Sequence, residues 1–262
     1  IFSKSAGIDA TSINMPFTNT GVVMAHVGTI RFGSPTTNTS LFIAEDGAAM
    51  QYQSTIQLNA GARLDGAGLH RISGGSFNVN AAVPIESLAF QEGQILLNPG
   101  GVATVHRAFT WTGGSLTGDT TGLLELDPGS VATLSGAGKT IAAVTFRPRG
   151  SLTWNSGDVA VVSSARIENQ GAWTCAGDNS LSYVGGAPTS MLNAGTLTKS
   201  GSPGITAFNL PFTNTGSISA AVGTIRFGSS FVQTAGITTL QGGTIASFSS
   251  LDFAGGFLTG DG

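Results

Sequence analysis

The sequence is short of charge, cysteine and long apolar runs, and each shortage narrows the field. Charged residues are 10% of 262, against about 25% in an average soluble protein. The 11 basic residues are scattered and make no focused Lys/Arg footprint, so nucleic acid is not expected as a partner. Cys175 is the only cysteine. That excludes an internal disulfide, a CxxC motif and a cysteine zinc site, and no cofactor or metal is expected. No apolar run nears the roughly 18 residues of a membrane span. No apolar period of 3.6 lasts beyond two turns, so helix is expected to be nearly absent. The opening IFSKSAG has neither an initiator Met nor a signal-peptide layout, which reads as a mature or excised segment.

What is present is glycine, at 39 of 262, with abundant Ser and Thr and an apolar fraction of 40%. Disorder couples low hydrophobicity to high charge, so this chain should fold around a sizeable core. The glycines have no period of three, which rules out collagen.

Two repeats organise the chain. FTNTGVVMAHVGTIRFGS (17–34) returns as FTNTGSISAAVGTIRFGS (212–229), 195 residues later, and 15 of 20 positions match between Met15–Ser34 and Leu210–Ser229. Beyond that stretch the pattern continues, with Gly47 over Gly242 and Ile56 over Leu251. The segment 1–262 therefore reads as one 195-residue unit and about a third of the next, a single continuous window on a tandem array. Inside it runs a shorter beat. FRPRGSL, IENQGAW, MLNAGTL and FTNTGSI place Gly150, Gly171, Gly195 and Gly216 at spacings of 21, 24 and 21.

Between these turns lie short runs alternating apolar and polar residues: SLTW, AWTC, TIRF, SFNV. Period-two alternation bounded by Gly, Asn, Asp or Pro marks strands. Strands and turns repeating at about 21 residues point to a parallel β-helix, a β-solenoid. Coils stacked at roughly 4.8 Å give the 195-residue unit about nine coils and a rise of roughly 43 Å. Asn and Gly at the turns suit positive φ, and stacked Asn side chains can hydrogen-bond from coil to coil. An antiparallel sandwich of about 20 strands is the alternative, with hairpin turns every 8–12 residues.

NTG before a strand, then GTIRF, with GGSLTG (113–118) and SGAGKT (135–140) between, resembles large secreted bacterial proteins built of tandem β-strand repeats, the filamentous-haemagglutinin-like and autotransporter-passenger-like surface proteins. The resemblance implies a right-handed parallel β-helix and an extracellular or cell-surface location. It also implies a structural role as fibre, stalk or surface layer, with adhesion as a further duty. It supplies no catalytic residue. Implied partners are further units or copies of the chain, and surface glycans.

Candidate chemistry is sparse. Arg31 and Arg226 occupy equivalent positions in the two copies, as do Lys4 and Lys199. They are expected either to pair with carboxylates or carbonyls of the next coil, or to form a basic row contacting a neighbour or an acidic glycan. Glu125 and Asp127, with Asp119 nearby, resemble the paired acids of polysaccharide-cleaving β-helices, whose acid and base stand at set distances. A carbohydrate-binding or carbohydrate-cleaving protein is thus the alternative to a structural, non-enzymatic one. His26 becomes Ala221 in the second copy, so it should be an outward strand residue. His70 and His106 lack acidic neighbours in sequence. Trp111, Trp154 and Trp173 run in phase with apolar neighbours and should be core, as should Cys175. At an offset of 21, Leu152 should lie over Trp173 and Trp154 over Cys175. Ice binding would need outward Thr rows, and no strict TxT row recurs at the coil period.

Overall fold

The structure is a computed structural model describing residues 1–261; Gly262, the last residue of the 1–262 segment, lies outside the described residues. It is an all-β parallel solenoid without helix among them, and hence without a helix long and apolar enough to cross a membrane. Apart from the strands of the first and last coils, each strand pairs in parallel with one about a coil before it and one about a coil after it, through about 13 turns of roughly 20 residues. At roughly 4.8 Å per coil the stack is about 60 Å long.

Each coil has three sides. Strands Val22–Ala25, Thr29–Phe32 and Thr36–Asn38 start seven residues apart, so a strand of three or four residues plus a short corner makes one side. Three such sides give the 21-residue beat. We call the side holding Phe2–Lys4, Val22–Ala25 and Leu41–Ala44 the first face. The second face holds Ala10–Ile13, Thr29–Phe32 and Ala49–Tyr52, and the third holds Phe17–Asn19, Thr36–Asn38 and Ile56–Leu58. In most four-residue strands the second and fourth side chains point inward, as with Val23 and Ala25, Ile30 and Phe32, and Phe42 and Ala44; in Lys139–Ala142 and Val159–Val162 the first and third do so. Three inward columns meet in one apolar core. In the middle coils the strands run through the corners, as in Leu69–Val79, Ala82–Leu97 and Val102–Trp111. Gly75 and Gly93 make two of those bends at φ of 64° and 85°, a region open to glycine without steric cost.

The long repeat and the coil are out of step. Following the pairings forward from Phe17–Asn19, nine further strands of the third face are met before the chain reaches Phe212–Asn214, and that strand pairs with Ser190–Asn193 on the first face. The repeat thus spans nine turns and one further side, about 45 Å at roughly 4.8 Å per turn. Its second copy is turned by a third of a revolution. Thr29–Phe32 lies on the second face while Thr224–Phe227 lies on the third, paired with Ile205–Asn209.

The core follows the expected register. Leu152 sits over Trp173 and Trp154 over Cys175; all four are 1% exposed or less. Phe17 packs on Phe32 at 5.6 Å between ring centroids, and Phe212 on Phe227 at 5.0 Å. Burial of this area is the main stabilising term, at about 25 cal/mol per Å² of apolar surface.

The turn asparagines form ladders. Asn169 Nδ2 donates to Asn193 Oδ1 (2.7 Å), Asn193 Nδ2 to Asn214 Oδ1 (2.8 Å), and Asn214 Nδ2 to Gln233 Oε1 (2.9 Å). Asn19 donates to Asn38 in the same way at 2.8 Å. All but Asn19, at 5%, are 0% exposed, so each ladder satisfies amides that would be costly to bury unpaired. The expectation of positive φ at these turns is corrected. No Asn adopts it, and Gly150, Gly171, Gly195 and Gly216 do not either. Those glycines serve close approach instead: a Cβ on Gly171 would stand 2.0 Å from Gly150 O, on Gly195 2.1 Å from Gly171 O, and on Gly216 2.1 Å from Gly195 O. Gly21, the equivalent of Gly216, has nothing within 4 Å of such a Cβ.

Candidate functional site

The three carboxylates take three different kinds of partner. Glu125 points outward on the first face and binds Arg147 (3.2 Å) and Arg149 (3.2 Å), while Arg147 also holds Glu168 (2.9 Å). Glu125 and Arg147 are paired in adjacent coils, so charges of opposite sign alternate up the face where like charges would repel. Asp127 is paired with His106. Asp119 closes its own turn, accepting from the Thr121 hydroxyl (2.7 Å) and from the Thr121 and Gly122 amides. Those bonds, the Thr121 hydroxyl first, hold its carboxyl below the usual range.

The repeated basic residues do not share a line. Arg31 lies on the second face and donates from Nε to Gln51 Oε1 at 3.1 Å. Arg226 lies on the third, its guanidinium 4.9 Å from the Phe248 ring centre, a cation–π contact. A basic row joining Arg31 to Arg226 is ruled out by the third-of-a-turn offset. Lys4 lies on the first face and Lys199 on the second. Both cap turns: Lys4 Nζ donates to Ala6 O (3.0 Å), and the wholly buried Lys199 donates to Gly177 O (3.0 Å) and Asp178 (2.7 Å). The Lys199 ammonium draws the Asp178 pKa down. Lys139 is buried likewise, giving bonds to Ser135 O (2.6 Å) and Ala137 O (2.8 Å), and burial pushes its pKa down to about 8.

Each histidine has a polar partner that its sequence neighbourhood hides. His26 pairs with Glu45 (3.0 Å), and His106 with Asp127 a coil away. His70 points inward at 0% exposure. Its Nδ1 meets the Tyr52 hydroxyl at 2.9 Å and its Nε2 meets Asp65 O at 3.1 Å. A carbonyl only accepts, so Nε2 carries the proton and Nδ1 accepts from Tyr52. Burial pushes His70 down to about 4. Burial also pushes the Cys175 thiol up to about 12, which leaves it without nucleophilic character.

One outward column of the second face went unread in the sequence. It begins Ser12, Arg31, Gln51, Arg71, Ala89. It continues as Thr110, Thr133, Thr153, Thr174, Thr198, Ser219, Thr239, Thr259. A hydroxyl thus recurs at every coil, roughly 4.8 Å apart. In sequence these residues are spaced unevenly, by 20 to 24, because corner lengths differ. The signal that finds them is the apolar–Thr–apolar triplet aligned on its buried flanks. At the other end of this face a shallow groove of about 360 Å³ is lined by Arg71 and Ser87 among small residues. Compared with known proteins, the chain matches no family model, no curated protein and no solved structure.

Proposed function

We propose that the chain is a length of a structural, non-enzymatic rod at the cell surface or outside the cell, of the filamentous-haemagglutinin-like or autotransporter-passenger-like kind. It continues into further units of a tandem array or joins other copies as a fibre. The observation that supports this reading most directly is the passage from one 195-residue unit into the next. Asn193 to Asn214, and Gly195 to Gly216, continue the ladders of the preceding coils across it. A unit that grows by stacking onto itself builds length, and length with continuous backbone ladders is stiffness. Repeat proteins of this type gain stability from each neighbour interface.

The test is a set of tandem chains of one, two and three units imaged by electron microscopy. Rods should lengthen by about 45 Å per unit at constant width, following the coil spacing. Units that fold back on one another, or separate as beads on a flexible string, would refute the proposal. A carbohydrate-binding role is the second reading, favoured by the hydroxyl column of the second face, which offers donors and acceptors at a regular interval without charge. Its cleaving form would rest on Glu125 and Asp127. That form requires polysaccharide turnover that disappears in Glu125→Gln, and absence of turnover by the unsubstituted chain ends it.

A further inference from the structure

Four arginines of this chain, Arg71, Arg107, Arg166 and Arg226, make no side-chain hydrogen bond or ion pair among the described residues; Arg71 is the one in the lining of the second-face groove. Arg63, Arg147 and Arg149 each bind a carboxylate, and Arg31 binds Gln51. The Nε of Arg71, like that of Arg226, is sealed from solvent without an acceptor. Its neighbour in the column, Gln51, gives its carbonyl to Arg31 and its amide to Ser73 at 2.8 Å, so neither end serves Arg71. With Nε sealed, the two Nη nitrogens are the donors left for a ligand.

The surroundings give that guanidinium a place to work. Arg71 lines the groove of about 360 Å³ on the second face, whose floor is built of small residues including Ala49, Gly68 and Ala108. Ser87 is the only other polar side chain in the lining. It is paired with Ala108 in the next coil, which sets the two side by side in the lining. A volume near the lower end of ligand pockets suits one small ring. The flat apolar floor suits the C–H face of such a ring, the hydroxyl suits its hydroxyls, and the planar fork of an arginine suits a carboxylate taken by two bonds.

We propose that this groove binds the carboxylate of an acidic sugar, with Arg71 as the anion receptor and Ser87 as a hydrogen-bonding partner to the ring. The bordering turn sharpens the choice of ligand. It carries Glu45, already paired with His26, and the exposed Asp46. Two carboxylates at the rim disfavour the several charges per repeating unit of a sulfated polymer more than the single carboxylate per ring of a uronic acid. Whether the rod carries further units has no bearing on this site.

The test is calorimetric titration of the whole chain with a short oligogalacturonate. The neutral galactose oligomer, acetate and a sulfated polysaccharide serve as comparisons. Saturable binding of oligogalacturonate is expected, with weaker binding of all three comparisons. Arg71→Gln should weaken it at least roughly tenfold, the scale of one charge-assisted hydrogen bond. Ala108→Leu, which fills the groove from an outward strand position, should also weaken it. Amide chemical-shift mapping of the unsubstituted chain provides a readout independent of any variant's folding, and the shifts should centre on residues 47–49, 67–71, 87 and 108. No saturable binding, unchanged affinity in a folded Arg71→Gln, shifts centred elsewhere, or tighter binding of acetate or the sulfated polymer would each overturn the proposal.

Discussion

His70 makes the stability of its coils depend on pH, with a calculable sign and size. The neutral ring is fully satisfied in the core: Nε2–H donates to Asp65 O and Nδ1 accepts from Tyr52. A second proton on Nδ1 would face the Tyr52 hydroxyl, which must then turn its own hydrogen away from its acceptor. The charge would also sit at 0% exposure. Burial accordingly lowers the pKa to about 4, against about 6.5 in an unfolded chain. Between these values the unfolded chain binds the proton and the folded one does not. The stabilisation is therefore fully present above about pH 6.5 and is lost as pH falls toward 4. The difference in pKa corresponds to about 3 kcal/mol at the acid limit, of which about 2 kcal/mol is gone by pH 5. The measurement is urea unfolding across pH 4 to 7.5 for the native chain and for Tyr52→Phe/His70→Phe, which keeps two stacked rings and removes the titration. Every other titratable group apart from Tyr52 is common to the two proteins, so the difference between the curves below pH 7.5 isolates His70. Parallel curves, or an NMR titration placing His70 near 6.5, would refute the reasoning.

Other perturbations separate the roles of similar residues. Gly195→Ala puts a Cβ 2.1 Å from Gly171 O and should cost about 2 kcal/mol or more, whereas Gly21→Ala meets nothing within 4 Å and should change thermal stability by well under 1 kcal/mol; equal effects would show that close approach is not what these turns require. Asn193→Leu breaks both neighbouring rungs of its ladder, leaving the Asn214 carbonyl without its donor, and should cost about 1–3 kcal/mol in denaturant unfolding. Cys175, wholly buried with a thiol pushed up to about 12, should resist thiol reagents in the native state and react at the rate of local opening; immediate labelling would contradict its place in the core. Asp178→Asn removes the anion beside buried Lys199 and should cost roughly 2 kcal/mol, measured by denaturant unfolding at pH 7.

The parts legible in the sequence were those whose cause is local or strictly periodic. Alternation in SLTW and AWTC showed which side chains point inward, and a fixed offset of 21 was enough to set Trp154 over Cys175. The Asn ladders were legible for the same reason, because residues two before a recurring glycine must stack. Partners one coil away were not legible, since His106 and Asp127 are separated by 21 residues and no local window holds both. His106 looked partnerless for this reason, and Asp127 looked free for catalysis. The Thr column was missed through the same geometry, blurred by corners of unequal length. The glycines were identified correctly and explained wrongly: crowding by the carbonyl of the coil below, not left-handed φ, accounts for Gly171, Gly195 and Gly216.

The third-of-a-turn offset changes what the long repeat can mean. A unit of a whole number of coils would put every copied side chain on one line along the rod, and charges kept in both copies would form a row. Nine turns and one side instead send Arg31 to the second face and Arg226 to the third, and send Lys4 and Lys199 to the first and second. Each copied residue must then work within its own coils, and the observed contacts are of that kind: Gln51 for Arg31, Phe248 for Arg226, turn carbonyls for the lysines. The three sides are near-equivalent in length and inward pattern, so one sequence block can serve on any of them. That tolerance lets the repeat drift out of phase with the coil without breaking the core. In an array of such units, a surface feature of the block would return to the same face only at every third copy, presenting it to three sides of the rod in turn.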